Sequence, residues 1–378
     1  MAQESSLRAK IFAGAQLTTL SFVLRTALRL ISTVILTRLL APEIYGVFAL
    51  VLMYHYILEM FSDLGIRSVI LTKEGEIDDN FLCTCWTIAL LRGFILAVVA
   101  CAIAAIVFGL QNLEVFAADS PYTAPVLPWA LAALGATIII SGTVSPVIYV
   151  QERDMVFGKV TLIEIVTNVL GLIATIALAY YLRSVWALVL GDTLRAVIRV
   201  VLSFVLFSGP KMRLMLDRAA SGIVINRGKW IVGHSVLSAL MGAGDRLVLG
   251  FVMPSSTFGY YFIARQLVDM VQTFLGAIDT QLGLQVFTHL HQSTTEKFRR
   301  NYYRYRLFFD AIAGLSTGGL IVLAPLIVGI LFDDRYQEVA EITQILVWAI
   351  LLIGPMLLRS AFNAVRRFKE MTMLSLVS

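Results

Sequence analysis

Apolar runs of roughly 20 residues or more succeed one another from Ile11 to Phe362, each as long as a helix needs to be to cross a hydrocarbon core of about 30 Å. Read between polar breaks, the runs cover 11–37, 44–71, 84–109, 123–150, 157–181, 184–209, 229–252, 258–288, 307–332 and 339–362. An eleventh opens near Met371. The breaks carry turn chemistry, as at Ala41-Pro42-Glu43, Asp119-Ser120-Pro121 and Phe332-Asp333-Asp334. Only 15% of the 378 residues are charged, against about 25% in soluble domains, and the deficit is spread evenly. That leaves no room for a sizeable soluble domain. The polar alternation that membrane strands need is absent. The expected class is all-α, a polytopic membrane protein.

Lys and Arg in the breaks set the orientation. Eighteen fall on one side, from Arg8 and Lys10 through Lys211 and Arg213 to Lys369, and only Arg38, Arg183 and Arg335 on the other. This places the N-terminus in the cytoplasm. The net charge of +5 is thereby explained without nucleic acid. The chain also resembles itself: "ILTRLLAPEIYGVF" (35–48) aligns with "VLGFVMPSSTFGYY" (248–261), and Pro146 with Pro355 near the ends of the fourth and tenth spans. A repeat of six helices relates two lobes by an axis along the membrane normal. The expected division is a six-helix lobe over 1–209, a cytoplasmic linker over 210–228 and a second lobe over 229–378. The second lobe has four to five helices, two short of a full copy. The lobes are expected to enclose a central cavity.

Nine Arg lie inside the spans: Arg25, Arg29, Arg67, Arg92, Arg195, Arg199, Arg246, Arg265 and Arg359. Each costs about 2.5–3.5 kcal/mol or more at a lipid-facing helix centre, so most must face protein or a wet cavity. Eight acids accompany them: Glu59, Asp63, Glu164, Asp192, Asp245, Asp269, Asp279 and Asp310. The first six spans hold six Arg against four acids, the remainder three against four. Arg25/Arg29 and Arg195/Arg199 are same-sign pairs one turn apart, which repel unless an anion lies between or opposite them. Two readings stand: structural ion pairing, or an anionic ligand held by guanidinium forks that match phosphate oxygens. His55, Glu59, Asp63 and Arg67 recur at a four-residue step, so one helix would carry them as a single ionisable stripe. His55, Glu59 and Asp63 have the chemistry to take a proton or sodium ion, with Asp245, Asp269 and Asp279 rivals in the second half. Simple neutralisation of neighbouring Arg is the equal alternative.

Catalytic signals are poor. Gly222 to Trp230 mimics a phosphate loop, but its spacing is one residue too long and Trp230 replaces the Ser/Thr. Cys83, Cys85 and Cys101 offer neither a disulfide framework nor a metal quartet. The first apolar run is too long for a cleavable signal and contains Arg25 and Arg29. No enzyme, metal or cofactor is expected.

The stretches "RLLAPEIYGVFALVLMYHYILEMFSDLGIRSVIL" (38–71) and "VIYVQERDMVFGKVTLIEIV" (148–166) carry a family resemblance. Arg38-Leu39-Leu40, Pro42, Tyr45-Gly46, Asp63-Leu64-Gly65 and Arg153-Asp154 with Phe157 look like those of the bacterial polysaccharide flippases. These are lipid-linked oligosaccharide exporters of the multidrug/oligosaccharidyl-lipid/polysaccharide superfamily, whose members have twelve or fourteen helices. The resemblance implies an inner-membrane protein that turns an undecaprenyl-pyrophosphate-linked oligosaccharide from the cytoplasmic to the periplasmic leaflet, in O-antigen and related polysaccharide biosynthesis. Expected partners are that lipid, membrane lipids, and a polysaccharide polymerase with glycosyltransferases. On position alone, Arg25, Arg29, Arg67, Arg195 and Arg199 are the expected head-group residues and Pro146 and Pro355 the expected bending points. An ion-coupled exporter of small molecules and a non-transporting scaffold for glycan assembly are the alternatives.

Overall fold

A computed structural model describes residues 23–61, 64–291 and 295–353, and every described regular element is helical. Helix α1 covers 23–39 and is succeeded by α2 (Pro42–Phe61), α3 (Ile66–Leu71), α4 (Asp79–Asn112), α5 (Leu127–Gly142) and α6 (Val147–Arg153). After these come α7 (Phe157–Leu182), α8 (Val185–Val205), α9 (Arg218–Val252), α10 (Ser255–His291), α11 (Thr295–Leu331) and α12 (Glu338–Leu346). Short 3-10 turns occupy Pro121–Thr123, Asp334–Tyr336 and Val347–Ile353. The chain parts into two compact units, 1–259 and 260–378.

Four described helices are long and apolar enough to cross a membrane, and a fifth span is counted if α5 and α6 are one bent segment. Helix α8 has the length but carries Asp192, Arg195 and Arg199 along one side, the cost of lining a polar interior. Exposed apolar side chains such as Ile95, Val98 and Ile106 on α4 mark a lipid-facing surface.

The first unit is built on small-residue seams that let backbones approach. On α4 and α5, a Cβ at Gly135 would lie 3.2 Å from Ala97 and one at Gly142 would lie 2.9 Å from the Ala89 carbonyl. Helices α7 and α8 meet where Gly191 faces Thr175, and α5 meets α8 through a 2.7 Å hydrogen bond between the Thr137 and Thr193 hydroxyls. At the Phe61 end of α2, the short helices α3 and α6 join a cluster of Val69, Ile70, Phe81, Leu82, Ile148, Val160 and Phe207. At the Pro42 end, α2 crosses the start of α10: a Cβ on Gly46 would strike the Ser255 carbonyl, and one on Gly259 would strike that of Pro42. These are repeat-related positions, 213 residues apart in both cases. The crossing is therefore symmetric.

Three sequence expectations change. The span over 44–71 is broken: α2 stops at Phe61, Gly65 takes φ 60°, and α3 begins at Ile66. The ionisable stripe is broken with it, so Arg67 rides on a different helix from His55 and Glu59. The span over 123–150 bends by 56° at the break before Val147, where Thr143 to Pro146 interrupt the ladder. The segment expected as a linker over 210–228 is helical from Arg218, because Asp217 caps α9 by accepting a 2.8 Å bond from the Ala220 amide. Helix α9 then packs on α2, and the compact units part only after Gly259.

The second unit centres on Val268, Leu275, Phe309, Ala313, Val347 and Ile350. Tyr305 donates a 3.0 Å bond to the buried Asp279 carboxylate, and Tyr336 is fully buried near Tyr260.

Candidate functional site

Two adjoining hollows open inside the first unit, on the Phe61 half of α2. One, about 430 Å³, is lined by Arg25 of α1, His55 and Glu59 of α2, Glu164 and Asn168 of α7, and Asp192, Arg195 and Arg199 of α8. The other, about 240 Å³, is lined by Glu59, Arg67, Trp86, Arg92, Pro146, Tyr149 and Arg199. Glu59, Ser141, Ala196 and Arg199 face both. Among the described residues, the lining carries five guanidinium groups against the three carboxylates of Glu59, Glu164 and Asp192.

Helical periodicity explains this convergence. Asp192, Arg195 and Arg199 stand at steps of three and four on α8, hence on one face. His55 and Glu59 repeat the step on α2, as do Glu164 and Asn168 on α7. The charged faces turn inward because the outward faces, with Leu190, Leu194, Val197 and Val201 exposed on α8, are apolar.

Most of the arginines are held by acids. Arg195 Nη1 lies 2.6 Å from Asp192 Oδ1, Arg25 Nη1 3.5 Å from Glu164 Oε2, and Arg67 Nε 2.7 Å from Glu152 Oε2. Arg92 Nη2 donates to the Glu59 carbonyl at 3.2 Å, and His55 Nε2 lies 3.3 Å from Glu59 Oε1. Arg195 also lies flat on α7, its Nε 2.8 Å from where a Cβ on Gly171 would sit, with that Nε buried and unbonded among the described residues. Arg199 differs from its neighbours: among the described residues no carboxylate comes within ion-pair distance of it.

Of the residues selected from sequence, the fold thus brings together Arg25, His55, Glu59, Arg195 and Arg199 around one hollow, and Arg67 and Pro146 around the other. Arg29 is exposed on α1 and lines neither. Asp269 belongs to the second unit, where it accepts a 2.8 Å bond from Arg265. Asp63 and Pro355 lie outside the described residues. Sequence reasoning did not select Arg92, Glu152, Glu164, Asp192 or Tyr149 for the site. The steps 192/195/199 and 164/168 were the available signal for Asp192 and Glu164. Among the described residues, no group of three or more His, Cys, Asp or Glu side chains converges as a metal cage.

The lining is polar, and its carboxylates offset part of the guanidinium charge, as in the Arg25–Glu164 and Arg195–Asp192 pairs. Guanidinium forks match carboxylate and phosphate oxygens alike.

Residues 35–341 match the family described as "Polysaccharide biosynthesis protein". The chain is 24% identical over 362 residues to the "Lipopolysaccharide biosynthesis protein WzxC" of Escherichia coli (strain K12), covering 95% of this chain and 70% of that protein. Its fold is similar to the crystal structure of the eukaryotic MATE transporter AtDTX14, with a TM-score of 0.51 at 11% identity, over 95% of this chain and 84% of that one.

Proposed function

The chain belongs to the polysaccharide biosynthesis protein family, and we propose that it flips an undecaprenyl-pyrophosphate-linked oligosaccharide across the bacterial inner membrane. The N-terminus lies in the cytoplasm in this reading, and the hollow is the station for the pyrophosphate. The observation that carries it is the five-to-three excess of guanidinium over carboxylate among the described residues lining the hollows, with Arg199 outside ion-pair reach of any described acid. Exposing a pyrophosphate to hydrocarbon is prohibitive, so a cationic, hydrated path is what the cargo requires, while its polyprenyl tail stays in the bilayer.

Access would alternate. Glu59 lies about 20 Å along α2 from Gly46, taking 1.5 Å per residue. The Gly46–Ser255 and Gly259–Pro42 crossing lies at the Pro42 end of α2, away from the hollow. The bend before Val147 borders the smaller hollow and supplies a place for α5 and α6 to flex. His55, Glu59 and Asp192 suit an ion-coupling role within the same site, since an ion taken up there changes how firmly the acids hold the arginines. Partners in this reading are the lipid-linked oligosaccharide and the polymerase and transferases that consume and supply it.

The runner-up, an ion-coupled exporter of small cationic molecules, draws support from that His55–Glu59 pair and the MATE-like fold. It calls for a net acidic lining, which the five-to-three balance opposes.

The test is Arg199→Gln in a cell whose surface polysaccharide depends on this protein. Losing a charged hydrogen-bond donor costs about 1.5–3 kcal/mol of head-group binding, roughly ten- to a hundredfold. Export should fall by that order with membrane insertion unchanged. Wild-type polysaccharide output from the variant rejects the head-group assignment.

A further inference from the structure

Helix α11 opens with "TEKFRRNYYRYR", and these basic residues are distinct from the interior hollow. Lys297, Arg300 and Arg304 stand at steps of three and four, on one face. Among the described residues none of the three has an ion pair, whereas nearby Arg306 is engaged by Asp310 at 3.3 Å. An open hollow beside this face is lined by Lys297, Arg299, Arg300, Arg304, Tyr303 and Leu307 with a single acid, Glu296, so four cations outnumber one carboxylate among its described residues.

The continuation of this face along α11 identifies the surroundings. Leu307, Phe308, Leu315, Val322 and Leu326 all project within about 60° of Arg304 on a 3.6-residue helix, and all are exposed, Leu315 by 78% and Val322 by 75%. Inside a membrane-spanning window (Arg299–Leu331), an exposed apolar stripe faces acyl chains. The three cations therefore sit where that stripe meets the head-group layer, with Tyr303, 58% exposed, at the depth where tyrosines anchor.

We propose that the first three turns of α11 form a docking site for an anionic glycerophospholipid of the surrounding leaflet. Its phosphate lies across Lys297, Arg300 and Arg304, and its acyl chains run down over Leu307, Phe308 and Leu315. Charge complementarity selects the head group, and the unbroken stripe below selects a lipid over a soluble anion. The site makes no use of Arg199 or its neighbours, so it stands or falls separately from the flippase reading.

The test uses the full-length protein purified in detergent, with the retention of added phosphatidylglycerol, phosphatidylethanolamine and polyprenyl phosphate measured by native mass spectrometry. Wild type should retain phosphatidylglycerol over phosphatidylethanolamine. The triple variant Lys297→Gln/Arg300→Gln/Arg304→Gln should lose that preference. At about a kilocalorie per mole for each basic residue near a membrane surface, the fall is on the order of a hundredfold. Arg306→Gln, which removes an already paired cation, should leave the preference intact and controls for folding. Equal phosphatidylglycerol retention by wild type and the triple variant overturns the site. Preferential retention of polyprenyl phosphate at these residues overturns the assigned occupant.

Discussion

Arg195 and Arg199 stand one turn apart on α8, yet the fold uses them differently. Arg195 is pinned between Asp192 and the bare backbone of Gly171, whereas Arg199 has no described carboxylate within ion-pair distance and borders both hollows. The spacing of the two arginines was legible in the sequence, because same-sign charges at a four-residue step inside an apolar run demand a polar interior. Their partners were not. Glu164 on α7 reaches Arg25 on α1, and Glu152 reaches Arg67 across 85 positions of chain, pairings that only tertiary packing decides. Gly171 was equally silent, since its role is to have no side chain where Arg195 lies. Gly171→Ala is a direct probe: the new Cβ would sit 2.8 Å from Arg195 Nε and 3.1 Å from its Cβ, too close for the arginine to swing clear by its tip alone. The overpacking should cost about 1–3 kcal/mol. A lowered thermal midpoint with reduced polysaccharide export is the expected pair of readouts. Unchanged values for both would mean that Arg195 is not held against α7.

At the scale of elements, apolar run length announced most of the helices but not where they break. The run through 44–71 contains no proline, and Gly65, in the left-handed conformation just before Ile66, marks the start of α3. The bend between α5 and α6 was more legible, because Pro146 cannot donate to the helix ladder. Helix α8 was legible as the apolar run over 184–209, although its charges spoil a strict apolar test. The repeat of Tyr45-Gly46 in Phe258-Gly259 proved informative in a way that alignment alone did not explain: the two glycines meet the opposite helix's backbone reciprocally. Gly46→Ala and Gly259→Ala should therefore each lower the thermal midpoint by several degrees and by similar amounts. Gly109→Ala and Gly158→Ala, where a Cβ meets open space, should not. A fall confined to one member of the first pair would break the reciprocal contact.

For the whole molecule, the charge pattern makes a statement that packing does not. The Phe61 end of α2 shares its side with the breaks around Asp154, Lys211 and Arg213, and the Pro42 end shares its side with the breaks at Arg183 and Pro254. Lys and Arg are costly to translocate, so the first side is expected in the cytoplasm. The proposed direction of transport depends on this, because the hollow sits nearer the first side and the α2–α10 crossing nearer the second. Single cysteines report it. In a background with Cys83, Cys85 and Cys101 replaced by alanine, Ser184→Cys lies in the turn between α7 and α8 and Asp154→Cys in the turn between α6 and α7. A membrane-impermeant maleimide added to intact spheroplasts should label position 184 at once and position 154 only after permeabilisation. The reverse order would place the N-terminus outside and turn the hollow away from the leaflet on which the proposed cargo would have to be received.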